Sequence, residues 1–181
     1  MNITDETKPA VNHERVAMLV AALRSGDYQQ GHDALAPIRA GVQAYCCLGV
    51  ACELVIANDG PAEKRAMNHL SHPGIPEGDP QGLQFRSSGY ENPGSGWTTG
   101  FMPNTAAAWY GFADVNPTLK VNCNVLRAKT QYELGCSCGG TPEGCSLATA
   151  ASTCNDHWKL TFDQIADAFE ATFLTDTETP A

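Results

Sequence analysis

The feature that most constrains what this chain can fold into is the run Cys46-Cys47-Leu48-Gly49-Val50-Ala51-Cys52-Glu53-Leu54-Val55-Ile56-Ala57, twelve residues with a single charge. Read as a helix it is apolar nearly all round, and a helix without a polar face has to sit inside a fold. It falls short of the roughly 20 apolar residues that cross a bilayer. The run therefore predicts a central core helix over residues 46–57, stopped by Asn58-Asp59-Gly60, with its first turn near the middle of the molecule.

Amphipathic helices are predicted on either side. After Asn12, a residue suited to an N-cap, Val16, Leu19, Val20 and Leu23 recur at one-face spacing, and Ser25-Gly26 supplies a stop. Thr161-Phe162-Asp163-Gln164 has the form of a capping box, with Ile165, Ala166, Phe169 and Phe173 following on the face of Phe162. Met102-Pro103-Asn104 opens a shorter helix that carries Trp109 and Tyr110 and ends at Gly111. Strand signals are sparser. Leu83-Gln84-Phe85-Arg86 and Trp97-Thr98-Thr99 suggest a hairpin in the Gly-, Pro- and Ser-rich stretch 71–100, with a tip able to cover a ligand, and a strand is expected near 118–123. The predicted class is α+β: one compact domain, mainly helical around the central helix, with a small β-hairpin or sheet. Its expected organisation is a flexible leader over 1–11, a globular domain over 12–174 and a frayed tail over 175–181.

Charge narrows the function. With 20 acidic against 11 basic residues, the net charge of -9 repels duplex nucleic acid and anionic membrane surfaces, so neither is expected as a partner. A small anionic ligand stays open, because a helix N-terminus or one or two Arg side chains make a local positive site in an acidic protein. Met1 to Pro9 has neither the basic nor the apolar part of a secretory signal. The eight cysteines are accordingly expected as thiols or metal ligands in a reducing cytoplasm. A phosphate-binding loop, a dinucleotide glycine fingerprint, a nucleophile elbow and a His-Glu-x-x-His helix are all absent from the sequence, which disfavours the common cofactor enzymes.

Four collinear segments carry a resemblance. Leu23-Arg24-Ser25-Gly26-Asp27-Tyr28-Gln29-Gln30-Gly31 is similar to an "LRSGxYxQG" opening, and Tyr45-Cys46-Cys47-Leu48-Gly49-Val50-Ala51-Cys52-Glu53-Leu54 to an "FCCLGVLCDL" core. Met102-Pro103 through Trp109-Tyr110-Gly111-Phe112 is similar to "LPxxVxxWLGL", and Asn155-Asp156 with Thr161 to Asp167 to "LNDxGxSFxxIADxIE". Together they resemble a family of small bacteriophage and prophage accessory proteins with a "CCLGV" core, generally of unassigned function. The departures are a Cys-rich insertion over 122–146 and Cys154 in place of the family's Leu. The resemblance implies a phage gene product acting in the cytoplasm of the infected bacterial host, of the kind that interferes with host defence, some by binding or degrading nucleotide immune signals.

Cys46 and Cys47 are the most suggestive chemistry. A thiol at a helix N-terminus feels the positive end of the dipole, which favours thiolate, and a distant His32, His69, His72 or His157 could then act as base in a cysteine-dependent hydrolase. The alternative is that both pack as small core residues. The same helix start could instead offer backbone N–H groups to a phosphate, in a pocket walled by Tyr28, Tyr45 and Arg39 beside Gln30 and Gly31. Asn155 and Asp156 are candidate ligand-binding residues, with a turn-forming role as the alternative. Cys136, Cys138, Cys145 and Cys154, with His157 nearby, could surround a structural zinc, although only one tight pair is present. Trp97, Trp109 and Tyr110 read as core or interface anchors before stacking platforms.

The expected function is sequestration of a small host-derived molecule, with an anionic nucleotide signal as the leading candidate and no catalysis. Two alternatives stand beside it: hydrolysis of such a signal by Cys46 or Cys47 with His157 as base, and protein–protein inhibition of a host factor. A homo-oligomer is open.

Overall fold

The computed structural model describes residues 10–67, 82–89, 96–128 and 145–175. Asn12 accepts the backbone N–H of Arg15 and opens helix α1, His13–Arg24, whose Val16, Leu19, Val20 and Leu23 are buried; Gly26 then turns left-handed at φ +79°. Helix α5, Phe162–Phe173, begins on the expected capping box, with Thr161 and Gln164 each bonding the other's backbone. The two helices pack along each other. Arg24 ties them at the rim by reaching Asp167 at 2.5 Å and Glu170 at 2.7 Å.

The apolar run forms helix α2, Cys47–Ala57, ended by Asn58, Asp59 and Gly60. Its first six residues and Val55 are buried. Gly49 permits a direct approach of this helix to the preceding segment: a Cβ there would lie 1.7 Å from the Leu35 carbonyl oxygen. That same carbonyl accepts the Cys46 N–H at 2.9 Å. On another side, buried Tyr110 of α3, Asn104–Tyr110, donates its hydroxyl to the Ala51 carbonyl at 3.0 Å, and Gly111 closes α3 at φ +75°.

Antiparallel strands supply the rest, which makes the class α+β. Strand β1, Ala36–Arg39, turns through Ala40 and Gly41, both at positive φ, into β2, Val42–Gln43. Strands β3, Ala62–Ala66, and β4, Gly82–Ser87, complete a sheet in the order β2-β1-β4-β3. The two runs expected to form a hairpin do meet, Phe85 and Thr98 exchanging hydrogen bonds of 3.0 and 2.8 Å, but β4 is also paired with β1 and β3 and is not half of a lone hairpin. Strand β5, Thr118–Asn122, alternates exposed and buried residues and pairs with β6, Ser146–Ala150. The ends of the Cys-rich stretch, Asn122 and Ser146, therefore face each other across this ribbon. A short helix α4, Cys123–Arg127, follows β5, and a π-helical turn, Thr153–His157, follows β6.

Candidate functional site

Two segments far apart in sequence meet at one face. Gln29, Gln30 and Gly31 run beside Tyr45: the Tyr45 N–H donates to the Gln29 carbonyl at 2.8 Å and the Gly31 N–H to the Tyr45 carbonyl at 2.7 Å. Gly31 is required for this approach, since a Cβ there would come within 2.9 Å of the Ala44 Cβ. The other segment is the π-helical turn, whose Trp158 N–H to Thr153 carbonyl bond of 2.9 Å reaches back five positions. Such turns are uncommon and concentrate at functional sites. Asn116 anchors its start by bonding both the backbone N–H and the hydroxyl of Ser152.

Asn155 joins the two segments and is completely buried. Its Oδ1 accepts from Gln30 Nε2 at 3.1 Å, and Gln30 Nε2 also donates to the Leu160 carbonyl at 2.7 Å. Its Nδ2 donates to the Gly31 carbonyl at 2.8 Å and to Asp156 Oδ1 at 2.7 Å, and lies 3.3 Å from His32 Nδ1. Of the three groups around this amide nitrogen, the imidazole is the farthest. His32 Nδ1 also lies 3.9 Å from Asp156 Oδ1. The same carboxylate oxygen accepts the backbone N–H of Asp33, a residue held at φ +70°. A non-glycine residue in that conformation stores strain of the sort often kept at binding sites. The cluster has a dry base and a wet rim: the side chains of His32 and Asp156 are 34% and 31% exposed.

Beside it, the rings of Tyr28 and Tyr45 meet edge to face at 5.4 Å. Burial, aided by the Glu53 carboxylate, pushes both phenols up, that of Tyr45 to about 12. Glu53 is held by Lys64 at 2.5 Å. Among the described residues, the charged groups in contact with this face include Asp27, Asp33, Glu53 and Asp156, with Lys64 engaged by Glu53.

Sequence reasoning grouped Tyr28, Gln30, Gly31, Tyr45, Asn155 and Asp156, and the structure brings these together. It places Cys46 and Cys47 differently from the expected pocket floor. Cys46 is 2% exposed and Cys47 fully buried, as is Leu48 after them, so packed residues cover the helix start. Burial drives the Cys46 thiol up to about 12 despite the backbone N–H groups of Gly49 and Leu48 that face its sulfur, and the nearby Asp156 carboxylate raises it further. Burial likewise raises Cys47, whose thiol donates to the Ala151 carbonyl at 3.6 Å. Near pH 7 both are neutral, which is the wrong form for a nucleophile. The expected base His157 is exposed and sits edge-on against Trp158 at 4.9 Å. His69 and His72 lie outside the described residues, as does the side chain of Arg39. Asp33 and the Leu160 carbonyl are members that sequence reasoning missed, because neither belongs to a recognisable motif.

The expected zinc set is divided. Cys136 and Cys138 lie outside the described residues. Cys154 is buried on the π-helical turn, where burial pushes its thiol to about 12, whereas Cys145 stands at the far end of β6 against Cys123. Among the described residues no three His, Cys, Asp or Glu side chains are grouped to hold a metal, and no helix is long and apolar enough to cross a membrane. Trp109 and Trp97 carry guanidinium groups over their rings, Arg15 at 4.2 Å on the first, and Arg65 and Arg86 at 4.1 and 4.6 Å on the second.

Residues 11–173 match a family model described as a domain of unknown function, DUF8296. Neither the curated proteins nor the solved structures give a match to the chain.

Proposed function

The chain belongs to the DUF8296 family, and from that premise we propose that it is a noncatalytic binding protein that holds a small polar molecule where residues 28–33 meet the π-helical turn. The observation that carries this reading is Asn155: one buried amide fixes Gly31, Gln30 and Asp156 together and leaves His32 and Asp156 at a reachable rim. Buried, fully bonded polar residues beneath partly exposed titratable ones make a preorganised recognition surface. In this reading α2 is the central helix of the fold and serves as a scaffold, its cysteines packing without reacting.

Acidic side chains around the face favour a guest that arrives with hydrogen-bond donors. A nucleotide signal would be read through its base edge and amino groups, with Tyr28 and Tyr45 as an apolar wall, and its phosphates would stay toward solvent. The similarity of the Leu23–Gly31, Tyr45–Leu54 and Asn155–Asp167 segments to phage and prophage accessory proteins supports sequestration of a host-derived signal in the infected cell as the biological setting. Native mass spectrometry of the chain after exposure to adenosine and guanosine nucleotides and to cyclic di- and trinucleotides tests it. A retained, unmodified nucleotide that is lost in His32→Ala and Asp156→Ala supports the reading. Turnover of the nucleotide, or retention unaffected by either change, contradicts it.

A further inference from the structure

Strands β5 and β6 end where Asn122 faces Ser146, and the next residues on the two sides, Cys123 and Cys145, stand opposite each other. Their backbones are still paired, with the Cys123 N–H donating to the Cys145 carbonyl at 2.7 Å. In the other direction the Cys145 N–H donates to the Cys123 sulfur at 3.2 Å, so this sulfur is turned toward the opposite cysteine. Opposed residues of an antiparallel ladder have Cα atoms about 4.5–5.5 Å apart, inside the span of about 4.4–6.8 Å that a disulfide bridges. Both are free thiols, Cys123 buried and Cys145 partly exposed.

We propose that Cys123 and Cys145 are a site of oxidative modification, a reversible disulfide that locks this end of the β5–β6 ribbon. Cys145 takes the first step because it is the member that solvent reaches. Its thiolate displaces hydroxide from hydrogen peroxide and becomes a sulfenic acid. The Cys123 sulfur then attacks the Cys145 sulfur, the S–O bond breaks, and the Cys123 proton leaves with the departing hydroxide as water. Two thiols and one peroxide thus give one disulfide and two waters, and a dithiol reductant reverses the bond by exchange. The link joins residues 22 positions apart and restrains a two-stranded ribbon that is marginal by itself. Since β6 runs on toward the π-helical turn, oxidation and reduction set how firmly the strand ahead of that turn is held. The pairing does not depend on the ligand-binding reading.

The full chain, purified under reducing conditions and treated with stoichiometric hydrogen peroxide, should lose two thiols while staying a monomer on non-reducing electrophoresis. Peptide mapping should recover Cys123 linked to Cys145, with a thermal midpoint raised by several degrees and restored by dithiothreitol. The link should form roughly tenfold or more faster in the folded chain than in urea, because the fold holds the pair together. Cys145→Ser should keep Cys123 as a thiol under the same treatment, and Cys154→Ser should oxidise as the unaltered chain does. The proposal is overturned if neither cysteine is oxidised, if either is found linked to Cys136, Cys138 or a second chain instead, or if linkage is no faster folded than in urea. An oxidised chain with an unchanged thermal midpoint overturns the locking role.

Discussion

Asn155 donates its side-chain amide to the Gly31 carbonyl at 2.8 Å, a bond that joins the loop after α1 to the turn before α5 across 124 positions of sequence. Each partner has one other anchor, the Gly31 N–H on the Tyr45 carbonyl and Asn116 on Ser152 at the start of the turn. Gly31 has no side chain with which to hold its place, and the π-helical turn has a looser hydrogen-bond ladder than an α-helix. The buried amide supplies what both lack, and through Gln30 and Asp156 it also sets the rim above it.

Removing that amide should therefore cost both stability and shape. Asn155→Ala leaves the Gly31 carbonyl without its side-chain partner in a dry environment and takes from Gln30 Nε2 the longer of its two bonds, a loss of about 1–3 kcal/mol. Urea denaturation monitored by circular dichroism measures it. A change within roughly 0.5 kcal/mol, the range of an ordinary surface substitution, contradicts the role given to this residue.

Gly49 makes a second, sharper case. A methyl group at this position points at the Leu35 carbonyl from 1.7 Å, so Gly49→Ala must push α2 away from the segment that carries β1. Destabilisation of about 3 kcal/mol or more is expected, at the upper end of overpacking. The thermal midpoint is the readout, and an unchanged midpoint would show that α2 does not approach Leu35 so closely.

Alkaline pH should weaken the fold before acid chemistry matters to its core. The Cys46 and Cys154 thiols rise from 9.0 to about 12 on folding, mainly through burial, and Cys47 and Cys52 shift in the same direction. Tyr45 rises from 10.0 to about 12 for the same reason. Each group is neutral in the fold but ionises near its ordinary value once unfolded. Their stabilisation is thus whole below about pH 9 and is lost as pH climbs toward about 12. The thermal midpoint should fall steadily over that window and more gently in Cys46→Ala. Alkylation of native protein at neutral pH should spare Cys46 and Cys47; prompt labelling of either would contradict their burial.

Much of this architecture was legible in the residues. Asn12, the spacing of Val16 to Leu23, and the Thr161 capping box placed α1 and α5, because caps and one-face periodicity act over a single turn of chain. Strands were harder. β3 is Ala-Glu-Lys-Arg-Ala, a composition without a β-branched or aromatic residue, and β1 contains Pro37; both are strands because of partners elsewhere in the sheet. The candidate site divides the same way. Gln30, Gly31, Asn155 and Asp156 stood out by motif resemblance, but their meeting is a long-range event that no local pattern encodes, and Asp33 joins through its backbone alone. Cys46 and Cys47 showed the limit of helix-dipole reasoning: the position at the helix start was right, and burial set the thiols' ionisation.

Arg24 links α1 to α5 through two carboxylates on the surface. Exposed pairs of this kind are worth roughly 0.2–1 kcal/mol, so Arg24→Ala should lower stability by no more than that, and the difference should shrink in high salt. Denaturation curves at low and high ionic strength decide it; a loss of several kcal/mol that salt leaves untouched would mean that Arg24 packs the helices together by contact and not by charge.

The binding face is tested most directly by nuclear magnetic resonance of isotope-labelled chain, following the His32 ring and the Asn155 side-chain amide while the nucleotide panel is titrated in. We predict that one member shifts both signals together and saturably, and that His32→Ala abolishes that binding with the fold intact. Saturable binding that leaves both signals in place and perturbs another region, such as the groove of about 320 Å³ lined by Asn104, Phe112 and Val115, would contradict the assignment.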